Sequence, residues 1–172
     1  MDAADAARAR FFREAESAGR LQHQNIVTIY DAGEDQGLAW IAMELLKGQD
    51  LSGATQPGKL LPVEQVVSIA ARVADALDYA HQQNVVHRDI KPANIMYDPR
   101  ADAVKVSDFG IARITDSSKT RTALVLGTPS FMAPEQLMRT GVDQRTDLFS
   151  LGLMLADGLR LLQTNAMHMI LS

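Results

Sequence analysis

The chain has 172 residues and a formal net charge of −4, from 17 Lys and Arg against 21 Asp and Glu. That length suits one domain, and the acidic balance argues against a nucleic-acid footprint. Cysteine is absent, which excludes disulfides and thiol metal sites and fits a reducing cytoplasm.

The N-terminus carries Asp2 and Asp5 and no apolar core, so a signal peptide is not expected there. Residues 3–18 are rich in Ala, Arg and Glu and predict a helix, with Gly19 where a C-terminal cap would fall. Residues 26–31 and 38–45 predict two strands joined by a turn over 33–37, and 48–57 reads as a loop. Pro62 is expected to open a helix at its first position. Val63, Val66, Val67, Ala70, Val73, Ala74 and Leu77 form an apolar stripe along it, at steps suited to one helix face. Residues 95–97 and 103–106 predict short strands around a turn at Asp98-Pro99-Arg100. Residues 111–127 are polar and threonine-rich, the composition of a surface segment. A last helix is expected over about 145–159. Asp157, Arg160, Gln163 and Asn165 interrupt the apolar C-terminal stretch, so no membrane segment is expected in this chain.

Three short signatures stand in order between these elements. The first runs His87-Arg88-Asp89-Ile90-Lys91-Pro92-Ala93-Asn94; then come Asp108-Phe109-Gly110 and Ala133-Pro134-Glu135. The first places a carboxylate, an amine and an amide on one short loop. Phosphoryl transfer needs such groups: one to orient a hydroxyl, a cation for the phosphate, and oxygen ligands for Mg²⁺. Asp-Phe-Gly alone would arise by chance in roughly one chain in fifty of this size. Three signatures in sequence are a different matter. Outside this setting Asp89 reads as a loop residue capping its own backbone, Lys91 as a solvated lysine and Asn94 as a turn asparagine.

With these motifs the chain resembles a serine/threonine protein kinase domain, from about Phe11 to about Leu155. Phe12-Arg13-Glu14-Ala15, Asn25-Ile26-Val27-Thr28-Ile29-Tyr30-Asp31 and Gly127-Thr128-Pro129-Ser130-Phe131-Met132 resemble the bacterial branch with eukaryotic-like kinase domains. The resemblance implies an α+β, protein-kinase-like fold, mostly the helical C-lobe. Residues 1–46 would be a partial N-lobe with a helix, two strands and a hinge. Residues 47–172 would be a partial C-lobe with the catalytic loop, the Mg²⁺ loop, the activation segment and the start of the helical subdomain. It also implies ATP and Mg²⁺ (with Mn²⁺ as an alternative), a protein substrate with a Ser or Thr acceptor, and a cytoplasmic location.

Residue roles follow from the same resemblance. Asp89 would accept or orient the substrate hydroxyl proton, Lys91 would offset charge on the transferring phosphate, and Asn94 and Asp108 would hold Mg²⁺. Met43, Glu44 and Leu46 would form the hinge against adenine, with Met96 also lining the nucleotide site. Arg88 would read a phosphate on the activation segment, whose candidate acceptors are Thr120 and Thr122; its bland reading is a surface ion pair. Thr128 would hydrogen-bond near Asp89 and Lys91. His87 and Phe109 are expected to pack, and Asp147 to hold the catalytic loop from below.

Two departures qualify the resemblance. No Gly-x-Gly-x-x-Gly loop and no Val-Ala-x-Lys strand precede Phe11. Glu14 is therefore expected to be solvated, and Glu135 to lack its usual arginine partner. The expectation is a kinase domain cut at both ends, weak or inactive alone. The alternatives are a non-catalytic pseudokinase-like binding module, a broken-gene remnant, or a small-molecule phosphotransferase of similar build.

Overall fold

The computed structural model describes residues 3–55, 61–109, 131–138 and 140–170. Helix α1 (Ala3–Gly19) turns Ala15 and Ala18 into the core. It is tied to the next element by an ion pair of 2.5 Å between Arg8 and Glu34. Glu14 is half-buried on this helix, not solvated as expected.

Strands β1 (Ile29–Asp35) and β2 (Leu38–Met43) pair antiparallel, with Asp35 opposite Leu38. The turn is shorter than expected: Gln36 (φ 49°) and Gly37 (φ 80°) alone reverse the chain. Two consecutive positive φ values match the twist of a two-residue hairpin. Gly33 lies inside β1 because Trp40 packs directly over it, where a Cβ would collide with the indole. The expected start of this strand, residues 26–28, is instead drawn to strand β5 (Ala103–Val106). Ile26 forms a parallel bridge with Val106, and Val106 N–H donates to the Asn25 carbonyl at 2.8 Å.

A second sheet has the order β3 (Gln49–Asp50), β4 (Ile95–Asp98), β5 (Ala103–Val106), all antiparallel. Strand β3 falls where a loop was expected. Gly48 makes it possible: its φ is 90°, and a Cβ there would overlap the Tyr97 carbonyl.

Helix α2 (Val63–Gln82) packs against α4 (Gln144–Ile170), with the short α3 (Pro134–Leu137) between them in sequence. Pro62 sits one position outside α2, at its N-cap. The buried face of α2 is Ile69, Val73, Ala76, Leu77 and Ala80, while Val63 and Val67 are exposed. The expected stripe was thus partly on the wrong face, because valines on both sides of the helix blur its period. Helix α4 extends past the expected residue 159, to Ile170. The core joins α2 and α4 to the second sheet through Leu77, Ile90, Ile95, Val104, Val106 and Met154. Each large apolar side chain buried this way stabilises the fold by about 2 kcal/mol. Among the described residues, no helix is long and apolar enough to cross a membrane.

Candidate active site

The stretch from His87 to Asn94 joins α2 to β4, and a buried carboxylate shapes its start. Asp147, fully buried near the start of α4, accepts the backbone N–H of His87 at 2.8 Å and of Arg88 at 2.7 Å. His81 Nε2, from the last turn of α2, lies 2.8 Å from the same carboxylate. Charge-assisted bonds of this kind are about twice as strong as neutral ones. They hold Arg88 at φ 70°, a left-handed backbone unfavourable for a residue with a Cβ by about 1–2 kcal/mol.

His87 bridges this loop to the segment after β5 that carries Asp108. Asp89 N–H donates to His87 Nδ1 at 3.1 Å, so Nδ1 is the unprotonated nitrogen and Nε2 donates to the Ser107 carbonyl at 2.7 Å. Burial pushes the imidazole below its ordinary 6.5, outweighing Asp147, the Ser107 carbonyl, Asp89 and Asp108, which pull it up. His87 is therefore a neutral strut. Its ring lies 4.6 Å from that of Phe109, matching the packing role expected for both.

Three predicted site residues meet at Asp89. Lys91 Nζ lies 2.9 Å from Asp89 Oδ2. Asn94 donates its side-chain amide to the Asp89 carbonyl at 2.8 Å and to Asp89 Oδ2 at 3.1 Å. Lys91 and Asp89 are 41% and 30% exposed, so this pair contributes little stability, about 0–1 kcal/mol.

Asp108 lies alongside. Ser107 N–H donates to the Asn94 carbonyl at 2.9 Å, and Asp108 follows at φ 61° with an exposed side chain. With both Nδ2 protons of Asn94 committed to Asp89, its Oδ1 accepts nothing from the described residues. One amide oxygen and one carboxylate are hard ligands of the kind Mg²⁺ takes, with water and phosphate oxygens filling its remaining positions. The donor set therefore fits that ion. Among the described residues, no group of three or more His, Asp or Glu side chains is arranged to hold a metal alone.

The predicted hinge sits at the end of β2. Met43 is 41% exposed, and Leu46 and Met96 are half-buried. The Glu44 side chain is engaged within the chain. Its Oε1 lies 2.7 Å from Lys105 Nζ and accepts the Thr28 N–H at 2.7 Å. Burial raises the Glu44 carboxyl, but Lys105 and the Thr28 N–H together leave it below its ordinary value. The Glu44 carbonyl and Leu46 N–H take part in no hydrogen bond among the described residues. Lys105 was not singled out from the sequence. The alternation of Val104, Lys105 and Val106 places its side chain on the face opposite the buried valines.

The exposed Arg88 side chain leaves the loop at its strained position. Thr120, Thr122 and Thr128, with Gly110, lie outside the described residues. Glu135 does not lack a partner as expected: the Thr146 hydroxyl donates to it at 2.6 Å. A small apolar cavity of about 50 Å³ lies between α2 and α4, and none of the predicted site residues lines it.

A strained loop thus carries Asp89, pinned from a helix below by Asp147 and set beside Asp108. The sequence model of the protein kinase domain matches residues 2–165. The chain is 46% identical over 156 residues to serine/threonine-protein kinase pkn3 of Myxococcus xanthus, covering 86% of this chain and 28% of that protein. It is 45% identical over 152 residues to serine/threonine-protein kinase PknB of Mycobacterium leprae, covering 85% and 24%. It thus spans about a quarter of the length of these curated relatives. The fold is similar to the Mycobacterium tuberculosis PknI kinase domain, with a TM-score of 0.71 and 37% identity over 88% of this chain and 56% of that one. It is also similar to Rad53 1–466 in complex with AMP-PNP, with a TM-score of 0.69 and 26% identity over 85% and 36%. The chain belongs to the protein kinase family.

Proposed function

We propose that this chain is the catalytic part of a serine/threonine protein kinase, moving the γ-phosphate of ATP to a Ser or Thr hydroxyl of a protein substrate. The observation that carries the reading is the Asp89 carboxylate, held by Asn94 at 3.1 Å and Lys91 at 2.9 Å on a strained loop. Stability does not account for that arrangement, because the ion pair is partly exposed and the backbone beneath it is unfavourable. Its geometry suits orientation of an acceptor hydroxyl, with Asp89 taking its proton as the bond to phosphorus forms. Lys91 lies beside the carboxylate and offsets charge on the phosphoryl oxygens. Asn94 and Asp108 would hold Mg²⁺, which when bound neutralises phosphate charge; Mn²⁺ offers the same ligand preference.

Residues 1–46 and 47–172 would supply the upper and lower walls of the nucleotide site. Met43, Met96 and the backbone of Glu44 and Leu46 would face the adenine. Arg88 would bind a phosphate on Thr120 or Thr122, and Thr128 would approach Asp89 and Lys91. The lysine next to Asp89 favours Ser or Thr over Tyr acceptors. A cytoplasmic location accords with this use of ATP.

The test is transfer of labelled phosphate from Mg-ATP to casein, alongside the thermal shift produced by Mg-ATP. The 172 residues alone contain no glycine-rich phosphate loop, and each lost preorganised donor costs about 3 kcal/mol of transition-state stabilisation. Their expected turnover is far below the 1–100 s⁻¹ or so of typical kinases, and Asp89→Asn abolishes what there is. A thermal shift with Mg-ATP but no transfer would favour the second reading, a pseudokinase-like nucleotide-binding module. No shift and no transfer would overturn both.

A further inference from the structure

Gln136 is buried in α3, and both ends of its amide are used. Its Oε1 accepts the Ala133 N–H at 3.1 Å, which closes the start of α3. Its Nε2 donates to the backbone carbonyl of Arg88 at 2.8 Å, across 48 residues of chain. The two partners fix the amide's orientation, since one is a donor and the other an acceptor.

The second bond does nothing for α3. It acts on the strained position of the loop. Asp147 holds the N–H of Arg88 and Gln136 holds its C=O, so both peptide groups flanking φ 70° are gripped from outside. The peptide between Arg88 and Asp89 is bound at both ends: its C=O by Gln136, and its N–H by His87 Nδ1 at 3.1 Å. That peptide sets the direction in which the Asp89 side chain leaves the backbone.

We infer that Gln136 is a positioning residue for Asp89, locking the preceding peptide so that the carboxylate meets the acceptor hydroxyl. The inference rests on the phosphoryl-transfer reading above. It also ties α3 mechanically to the loop, so a shift of α3 moves the carboxylate. Misplacement of a reacting group by about 1 Å costs on the order of 100-fold in rate.

Gln136→Glu separates this role from simple capping. The glutamate keeps an acceptor for the Ala133 N–H in either protonation state. Only its neutral form has a proton for the Arg88 carbonyl. The titratable and charged residues linked to the same peptide groups are Arg88, Asp89, His87 and Asp147, with Glu135 adjacent on α3. Burial beside a carbonyl disfavours the charged form, so the variant loses the bond as pH rises. The expected kcat relative to wild type falls about tenfold from about pH 6 to about pH 8.5, with KM for ATP within about twofold. Gln136→Leu lowers kcat about 10- to 100-fold at both pH values. A flat pH ratio for Gln136→Glu, with Gln136→Leu within about twofold of wild type, would overturn the inference.

Amide hydrogen exchange followed by mass spectrometry decides the matter if the wild-type chain transfers no phosphate. That outcome counts against the functional reading alone. Gln136→Leu is then expected to speed exchange in residues 86–91 while α2 keeps its protection. Unchanged exchange over 86–91, or an equal rise in α2, would refute the positioning role.

Discussion

Lys105 and Glu44 meet at 2.7 Å, and each side chain is about three-quarters buried, with exposures of 24% and 23%. The pair joins β5, which leads into Asp108, to the chain just after β2. Lys105 also donates to the Ile26 carbonyl at 3.3 Å, so one ammonium ties three segments together.

The coupling within this pair is measurable. Lys105→Met leaves a largely buried carboxylate with only the Thr28 N–H, and is expected to lower unfolding free energy by about 2 kcal/mol. Glu44→Gln is expected to lower it by about 1 kcal/mol. In urea titrations the double variant should lose about 1 kcal/mol less than the two single losses added together. Strict additivity would show that the pair contributes nothing as a pair.

Asp147 has the larger structural role, because three groups converge on it. Asp147→Asn keeps one acceptor but turns an NH₂ toward backbone donors. The expected loss is about 3 kcal/mol of stability, with phosphate transfer reduced beyond what the folded fraction explains. Wild-type transfer from this variant would separate the loop's shape from its activity.

His87 makes stability depend on pH. Its folded value lies below the ordinary 6.5, chiefly through burial. The unfolded chain therefore takes up a proton near 6.5 that the folded chain refuses. This contribution is complete above about pH 6.5 and is lost as pH falls toward the folded value, at up to about 1.4 kcal/mol per pH unit. Urea titrations from about pH 7.5 to about pH 5.5 should show the decline in wild type and a shallower one in His87→Gln. Equal slopes would remove His87 from the account.

Gly48 and Gly53 form a controlled comparison on either side of β3. Gly48 has φ 90° and no room for a Cβ beside the Tyr97 carbonyl, whereas nothing lies within 4 Å of a Cβ on Gly53. Gly48→Ala is expected to cost about 2 kcal/mol or more through strain and lost β3 pairing. Gly53→Ala is expected to stay within about 0.5 kcal/mol of wild type. Thermal unfolding of the two variants should separate clearly; equal midpoints would contradict the contact at Gly48.

The motif loop was the most legible part of the chain. Asp89, Lys91 and Asn94 sit within six residues, so short-range spacing already constrained their meeting, and Asp147 was placed beneath them by resemblance. What escaped depended on long-range contacts. Strand β3 is two residues, Gln49 and Asp50, with no alternation to reveal it. Gly33 looked like a turn residue because nothing local reports that Trp40 covers it. Lys105 drew no reading of its own within its strand, since its partner Glu44 lies 61 residues earlier. Gln136, three residues after Ala133, carried the spacing of a capping box, which accounts for its local bond but not for Arg88. Glu135 seemed unmatched without an arginine, while Thr146 supplies a hydroxyl from 11 residues later.

The distance along the chain between His87 and Asp147 has a consequence for biosynthesis. Their bond spans 60 residues, and ribosomes add about 5–20 residues per second, so the loop waits roughly 3–12 seconds for its clamp. Through that interval the nascent polypeptide holds its motif without the backbone shape that aims it.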